Sequence, residues 1–224
     1  MILKDFDRSL KPREKVLDQG IEALSDSELL ALILRSGLKG TSAIDQAREI
    51  LNHCGGFAGL FQLDLPQLME IAGLGLAKSC EILACLEIVK RTNYQKMLQA
   101  DVIAEPKLLI NWLQNYIGNR QQEYFVAVFL DGQKHVLSHQ PLYIGSRNTL
   151  NIDPSEIFSK ALSLKASSII VAHNHPSQKA VPSEIDNLTT RKLMEAGELI
   201  NVPLLDHLII SFNDYYSYRQ HQII

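Results

Sequence analysis

One stretch of the chain decides how its C-terminal half folds, and it reads Ser168-Ile-Ile-Val-Ala-His-Asn-His-Pro-Ser-Gln-Lys-Ala-Val-Pro-Ser-Glu-Ile-Asp186. Its first residues, 168–172, form a short apolar run rich in β-branched side chains, which is typical of a buried strand. Pro176 ends that strand, because proline cannot donate to a ladder. Ser183 stands three residues before Asp186, a spacing typical of a helix N-cap. The stretch therefore predicts a buried strand, a loop and the start of a helix.

Strands and helices alternate on both sides of this stretch. Residues 124–130 are aromatic and β-branched, and the Asp131-Gly132 pair that follows them is a hairpin signal. Hairpin strands followed by helix, strand, helix and strand indicate an α/β layer structure. The predicted strands span 124–130, 135–144, 168–172 and 205–211, and the predicted helices span 153–164 and 183–197.

The N-terminal part of the chain shows a different pattern, because its apolar runs are short and helical. Ser25 and Glu28 form a capping-box signature just before an apolar run. The segment 71–75 contains two glycines and reads as a tight turn, and a long helix is predicted for 77–94. The change of pattern near residue 100 predicts a small all-helical domain followed by an α/β domain. The predicted bounds are 1–95 and 102–224, with the boundary between Thr92 and Ala104.

The composition fits an ordinary globular protein. The 224 residues are 46% hydrophobic and 21% charged, with a net charge of −3, so a hydrophobic core can form without disulfides or other cross-links. Residues 1–100 carry 12 Lys and Arg against 13 Asp and Glu, which makes no basic nucleic-acid module by charge alone. The three cysteines form no Cys-x-x-Cys pair, so we expect neither a disulfide framework nor a cysteine zinc site. We find no signal peptide and no apolar run of about 20 residues, and therefore expect a cytoplasmic protein without a membrane partner.

The histidine-rich stretch has the ligand types and the spacing of a metal site. Side chains alternate along an extended chain, so His173 and His175 point to the same side and can share an ion at Zn–N distances of about 2.0–2.1 Å. A loop of this length can return the next helix to the strand end, where Asp186 supplies an oxygen ligand. Each piece alone is common, because Ser183 with Asp186 also forms a plain helix cap. Together they predict one catalytic zinc ion per chain, since three protein ligands leave the fourth position for water.

The spacing His-x-His-x7-Ser-x2-Asp resembles the JAMM signature of the MPN+ metalloproteases. The segments 156–177 and 204–210 closely resemble the RadC family, which is also called UPF0758. The resemblance covers nearly the whole chain. The N-terminal segments that also fit this family are Pro12-Arg-Glu-Lys15, Leu24–Leu30 and Gly73-Leu-Gly75.

The resemblance has consequences for fold and cofactor. It implies a helical, helix-hairpin-helix-like N-terminal domain followed by a three-layer, deaminase-like α/β metal domain. It implies zinc held by the residues that match His173, His175 and Asp186. The chain departs from the family after Ser177, where Gln178-Lys-Ala180 replaces the usual Gly-Asp-Pro. The loop is then less constrained by glycine, and no ligand position is affected.

JAMM enzymes also use a glutamate outside the motif as general acid and base for the water, and this chain offers two candidates. Glu123 precedes the first predicted strand and matches the family's glutamate upstream of the sheet, so we prefer it. Glu156 begins the helix before the metal strand, where the helix dipole alone favours an acid. General acid–base help is worth about 10²–10⁴ in rate. Ser183 is a candidate hydrogen-bond donor to the tetrahedral oxyanion, in addition to its capping role.

These residues predict a zinc metallopeptidase, a hydrolase in which zinc-activated water attacks a peptide or isopeptide bond of a polypeptide. A zinc nuclease or another hydrolase stays open, because the site activates water without naming the bond. The alternative is a DNA-associated, repair-type binding protein whose metal domain is accessory or inactive. For that reading, the glycines at 73–75 resemble a helix-hairpin-helix turn, and Lys78 is a candidate phosphate contact. The charge balance weighs against tight DNA binding, since little counterion release is available.

Of the histidines outside the motif, only His207 is a candidate for a role at the metal site. Asp206-His207 near the last strand either orients a ligand imidazole or forms an ordinary surface pair. The histidines expected to be ordinary polar residues are His53, His135, His139 and His221.

Overall fold

The structure, a computed structural model, describes residues 11–60, 62–145 and 152–224. The chain divides into two compact units, Met1–Val89 and Lys90–Ile224. The dividing point lies inside the long helix α6 (Leu76–Leu98) rather than in a linker after it. The predicted domain bounds 1–95 and 102–224 therefore stay a prediction. Among the helices that the structure describes, α6 included, none is both long and apolar enough to cross a membrane.

Short helices build the described part of the first unit, as the sequence pattern predicted. The capping box of Ser25 and Glu28 forms at the start of α2, and Ser42 caps α3 through the backbone N–H of Asp45. A buried apolar cluster that includes Leu34, Ile50 and Leu68 holds these helices together. The elements are α1 (Pro12–Gln19), a 3-10 helix (Ile21–Ala23), α2 (Asp26–Leu34), α3 (Ala43–Cys54), α4 (Phe57–Leu60), α5 (Leu65–Glu70) and the first part of α6.

Gly73 makes the turn between α5 and α6 possible. Its φ of +81° lies in the left-handed region, which a residue without a Cβ adopts freely. A Cβ at this position would also clash with the side chains of Gln46 and Leu38. The glycine is therefore required for both its conformation and its close packing.

A mixed β-sheet between helices forms the second unit. The strand order in the described residues is β2-β1-β3-β4-β5, and only the β3–β4 pair is parallel. The helical first unit and this α/β unit confirm the predicted fold class. After the end of α6 the elements are α7 (Pro106–Tyr116), β1 (Glu123–Leu130), β2 (Val136–Gly145), α8 (Pro154–Ser163), β3 (Ser168–Asn174), α9 (Glu184–Leu199), β4 (Leu204–Ile210) and β5 (Tyr215–Ser217).

The alternation of side chains along β1 separates two cores. Val126 and Val128 belong to the cluster that packs against α7, whereas Phe125 and Phe129 belong to the cluster that packs against α8 and α9. Successive residues of a strand point to opposite faces, so a strand buried on both sides contributes to both cores. The sheet thus has an α7 face and an α8/α9 face, which makes three layers.

Two elements of the second unit were not predicted from the sequence. Helix α7 begins at Pro106 and buries Leu109, Ile110 and Leu113, a spacing of three and four residues that is typical of one helical face. Strand β5 has only three residues, too few for a period of two to be recognised. Helix α7 covers one face of the sheet.

Candidate metal centre

Acidic and histidine side chains converge at one end of the sheet, on its α8/α9 face. Glu123 begins β1, His173 lies in β3, His175 follows β3 directly and Asp186 lies in the first turn of α9. Ligand atoms of these four residues all lie within 4.8 Å of one another, and all four residues are buried. The structure therefore brings the three proposed ligands together with the preferred general base.

Strand register explains this convergence. Phe125 of β1 pairs with His173 of β3, and directly opposed residues of an antiparallel pair share a face. Glu123 lies two residues before Phe125, and His175 lies two residues after His173, so both return to that same face. The long-range pairing adds Glu123 to a pair of histidines that local alternation already aligns.

The distances between the ligand atoms suit a single metal ion. Nε2 of His173 lies 2.9 Å from Nε2 of His175 and 3.2 Å from Oδ1 of Asp186. Nε2 of His175 lies 3.5 Å from Oδ2 of Asp186. A tetrahedral ion with bonds of about 2.0–2.1 Å holds its ligands about 3.3–3.4 Å apart, and the three distances bracket that value. Two imidazoles and a carboxylate are also the donor set that a divalent cation such as zinc prefers.

A chain of hydrogen bonds decides which nitrogen of His173 can bind a cation. Oγ1 of Thr190 donates its single proton to the backbone carbonyl of Asp186 at 2.6 Å. Nδ1 of His207, 2.7 Å from Oγ1 of Thr190, must then be the donor in that contact. Nε2 of neutral His207 is left as an acceptor for Nδ1–H of His173, which lies 2.9 Å away. His173 consequently keeps Nε2 for a cation.

His207 is buried and neutral, as this chain of hydrogen bonds requires. Burial, followed by the neighbouring His173, lowers the pKa of His207 well below its ordinary value. Its ring stacks on Tyr218 with the ring centroids 5.0 Å apart. The Tyr218 hydroxyl donates to Oδ1 of Asn187 at 2.7 Å, and burial raises the pKa of Tyr218 to about 12. The neutral ring of His207, stacked on that of Tyr218, therefore holds the imidazole of His173 on its Nδ1 side.

Asp186 and Ser183 form a reciprocal cap at the start of α9. Oγ of Ser183 accepts from the backbone N–H of Asp186 at 3.2 Å and donates to Oδ2 of Asp186 at 2.6 Å. Burial opposes ionisation of Asp186, but its close contacts with the imidazoles of His173 and His175 and its hydrogen bond from Ser183 outweigh burial and hold its pKa below the ordinary range. Because the Ser183 proton is directed at the carboxylate, Ser183 orients the side chain of Asp186, a proposed ligand. Its role as an oxyanion donor stays a prediction.

The two candidate bases have different surroundings. Glu123 is 1% exposed and lies within the ligand cluster. Glu156 is exposed in the first turn of α8 and is absent from that cluster. The geometry favours Glu123 over Glu156 as the group that can reach a water at the site.

Asn174 holds the start of β1 and was not singled out from the sequence. Its Oδ1 accepts from the backbone N–H of Tyr124 at 2.7 Å. Its Nδ2 donates to the carbonyls of Arg120 and Gln122, both at 3.1 Å. These bonds fasten the segment on either side of Glu123 to the end of β3. An asparagine between two histidines is the only signal in the sequence, and it does not reveal these distant partners.

Asp206 and His207 are neighbours in β4 but serve opposite faces of the sheet. His207 contacts the proposed ligand His173, whereas Asp206 points to the α7 face. There Asp206 accepts from the hydroxyl of Ser217 at 2.6 Å and from the backbone N–H of Arg219 at 3.0 Å. Of this pair, therefore, only His207 orients the imidazole of His173.

Lys78, just after the glycine turn of the first unit, makes hydrogen bonds within that unit. Nζ of Lys78 donates to the carbonyl of Ser36 at 2.6 Å and to Oε1 of Gln46 at 3.1 Å. Both partners are groups of the protein itself. Two of the three ammonium donors therefore stabilise the packing around the turn, and the proposed contact with a nucleic-acid phosphate stays a prediction.

Comparison with known families defines the class of protein to which this fold and site belong. The RadC-like JAB domain family matches residues 103–223, and the UPF0758 N-terminal family matches residues 3–80. A RadC-like JAB domain points to the JAMM type of metal-dependent hydrolase, and the buried Glu, His, His and Asp cluster is compatible with a metal ion.

Full-length relatives identify the family. UPF0758 proteins of Leptothrix cholodnii and Methylibium petroleiphilum are each 37% identical over 222 residues, which cover 99% of this chain and 100% of the relative. A UPF0758 protein of a Polaromonas species is 38% identical over 211 residues, 94% of each chain. The chain belongs to the UPF0758 family, with a RadC-like C-terminal domain, and this confirms the resemblance found in the sequence.

Proposed function

We propose that this chain is a zinc-dependent hydrolase that cleaves a peptide or isopeptide bond in a polypeptide. The observation that carries the proposal is the buried convergence of two imidazole nitrogens and a carboxylate, with Glu123 beside them. Such groups are costly to bury unless a cation or proton neutralises them. Membership of a RadC-like JAB family supports the hydrolase class.

The chain presents the ligands in one defined way. His173, His175 and Asp186 would hold the metal, and both imidazoles offer Nε2 because Nδ1 of each is engaged elsewhere. Bound to three protein ligands, zinc supplies a coordinated water whose pKa is about 7. Ordering by hydrogen bonds on the far side of each imidazole fixes ring orientation and raises ligand basicity.

Glu123 is the proposed general base and acid. Its carboxylate would accept a proton from the attacking water and return it to the departing amine. That proton transfer contributes about 10²–10⁴ in rate. The Asn174 bonds on either side of Glu123 hold its backbone segment in place at the end of β3. Ser183 keeps Asp186 oriented, and can stabilise an oxyanion only if its hydroxyl turns away from Oδ2.

The choice of substrate class rests on the JAMM-type signature, because a metal-activated water does not name its bond. A nuclease or another hydrolase would use the same ligands. The DNA-associated alternative gains no support from Lys78, whose ammonium is bonded within the first unit. A polypeptide is therefore the substrate we propose.

Metal content tests the first half of the proposal. Purified full-length chain should contain one zinc ion, and His173→Ala and Asp186→Ala should lose it, since each removes one of only three ligands. His53→Ala is the matched control, because His53 is exposed and lies outside the cluster, and it should keep its zinc. Elemental analysis that finds full zinc in both ligand variants would sink the assignment.

An activity screen tests the second half. Zinc-loaded chain is incubated with peptide and isopeptide substrates and, in parallel, with single- and double-stranded nucleic acid. We expect cleavage of peptide-type bonds that is abolished by a chelator, restored by zinc and absent in Asp186→Ala. Nucleic-acid cleavage would replace the substrate class. Tight, salt-sensitive duplex binding without any cleavage would favour the DNA-associated alternative.

A further inference from the structure

Gln178 occupies an unusual backbone position in the loop between His175 and Ser183. Its φ is +58°, in the left-handed region that residues with a Cβ adopt reluctantly. Its backbone N–H donates to the carbonyl of His175 at 2.9 Å, which closes a tight turn directly after the second proposed ligand. A conformation of this kind persists only where the surroundings hold it.

The side-chain amide of Gln178 supplies that hold. Nε2 donates to the carbonyl of Gly118 at 3.0 Å, and Oε1 accepts from the backbone N–H of Phe212 at 2.9 Å. Gly118 follows α7 and Phe212 follows β4, so one side chain ties the loop to two segments that are distant in sequence. The carbonyl and the N–H also fix which end of the amide faces which partner.

The turn at Gln178 places the next carbonyl against a proposed ligand. The carbonyl of Lys179 lies 2.9 Å from Nδ1 of His175. A carbonyl can only accept, so Nδ1 carries the proton and Nε2 of His175 is left facing Asp186 and His173. The orientation and the tautomer of His175 therefore depend on where Lys179 places its carbonyl.

We propose that Gln178 is a positioning residue of the metal centre. Its amide bridge holds the left-handed turn, the turn places the Lys179 carbonyl, and that carbonyl holds His175 with Nε2 toward the ligand cluster. The Gln178 side chain is not one of the four that form the cluster. The zinc-affinity readout rests on the proposed function. The tautomer of His175 does not, because it is a property of the metal-free chain.

The variants separate the bridge from the backbone. Gln178→Ala removes the amide and keeps the Cβ in the left-handed region. Gln178→Gly removes the amide but adopts that region freely. Lys179→Ala is the matched control, because it changes the neighbouring side chain and leaves its carbonyl in place. All three changes lie at exposed loop positions, and unfolding curves of the full chain confirm that each variant is folded.

Zinc affinity, measured by competition with a chelator, is the first readout. We expect the Kd to rise about tenfold or more in Gln178→Ala, as is typical when an outer partner of a histidine ligand is disturbed. Gln178→Gly should be affected less, and Lys179→Ala should match the wild type. Equal affinities for Gln178→Ala and the wild type would overturn the proposal. Wild-type zinc affinity in Gln178→Gly would also overturn the proposal, because the backbone conformation and not the amide bridge would then determine the shape of the loop.

The ¹⁵N chemical shifts of His175 in the metal-free chain at pH 8 are the second readout. We expect the Nδ1–H tautomer in the wild type and in Lys179→Ala, and a mixture of tautomers in Gln178→Ala. An unchanged Nδ1–H tautomer in Gln178→Ala would contradict the proposal even if zinc binds well. A wild-type chain that binds no zinc but shows this tautomer difference would overturn the metal role and leave the positioning role intact.

Discussion

The two faces of the sheet treat buried polar residues in different ways. On the α8/α9 face, His173 and its neighbours direct their ligand atoms toward one point. On the α7 face, Asp206 is also buried, but its oxygens are engaged by Ser217 and Arg219 of the C-terminal segment. Burial of a charged group is therefore not the sign of a functional site here. What marks the candidate site is that ligand atoms of several side chains converge. The far-side nitrogens of the two imidazoles are at the same time hydrogen-bonded to other groups.

A histidine on the α7 face makes the same contrast. His139 of β2 has no acid or second imidazole around it in the described contacts, and instead lies edge-on to three aromatic rings. Its ring centroid is 4.7 Å from that of Trp112, 5.4 Å from Tyr116 and 5.7 Å from Tyr94. Burial lowers the pKa of His139, so this histidine acts as a neutral packing residue. His139 was predicted to be an ordinary polar residue, and the structure instead places it among aromatic rings.

The largest expected effect distinguishes an acid at the convergent site from an exposed one. Glu123→Gln keeps the size of the side chain but cannot accept a proton from water, so turnover should fall by at least about 10²-fold while zinc remains bound. Glu156→Gln is the matched control and should keep most activity, because an exposed acid at a helix start contributes under about 1 kcal/mol. Rates on a cleaved peptide and zinc content are measured for both. An inactive Glu156 variant beside an active Glu123 variant would reverse the assignment.

The second prediction, of intermediate size, concerns zinc affinity and compares two adjacent residues of β4 that lie on opposite faces of the sheet. His207→Phe keeps a ring against Tyr218 but leaves Nδ1–H of His173 without its acceptor, so the Kd for zinc should rise about 10–100-fold. Asp206→Ala should leave zinc affinity unchanged. It should lower the free energy of unfolding by about 1–3 kcal/mol, because the donors of Ser217 and Arg219 lose their buried acceptor.

Chelator competition and urea unfolding of both variants decide this comparison. If Asp206→Ala weakens zinc binding as much as His207→Phe does, the two faces are coupled and the separation drawn here is wrong. If His207→Phe binds zinc like the wild type, the hydrogen-bond chain through Thr190 does not support the metal centre.

The smallest expected effect concerns the pH dependence of stability on the α7 face. The pKa of His139 in the folded chain is lowered by burial from an ordinary value of 6.5, so the unfolded chain takes up this proton first as the pH falls. Stability should therefore decrease on acidification below about pH 6.5, the ordinary value. His139→Gln should reduce that decrease. Urea unfolding at pH 7.5 and 5.5, followed through the single Trp112, measures the difference. Identical pH dependence in both proteins would show that His139 titrates normally.

Several features were predictable because they depend on short stretches of sequence. The capping box at Ser25 and the cap at Ser183 involve residues three apart, and both form. The strands around 124–130 and 168–172 were recognised from composition, because each is buried on both sides of the sheet. Helix α7 was not predicted, although the spacing of its buried apolar residues is helical.

The departure from the family at Gln178 shows where prediction from sequence failed. The loss of glycine indicated a loop that is less constrained. The structure instead has Gln178 in the left-handed region, where its amide bridges Gly118 and Phe212. The sequence could not reveal this, because both partners are backbone groups and any residue type could supply them.

The sequence by itself determined the aligned pair His173 and His175 and the closeness of Ser183 to Asp186, because strand alternation and helix capping are set within a few residues. Tertiary structure alone decided that His207, and not Asp206, contacts His173, because this follows from the register of β4 beside β3. It also decided that Thr190 and the Lys179 carbonyl fix the two imidazoles, and that Glu123 rather than Glu156 reaches them. Those choices depend on which segments meet across tens of residues, and packing of the sheet and its helices settles that rather than any local pattern.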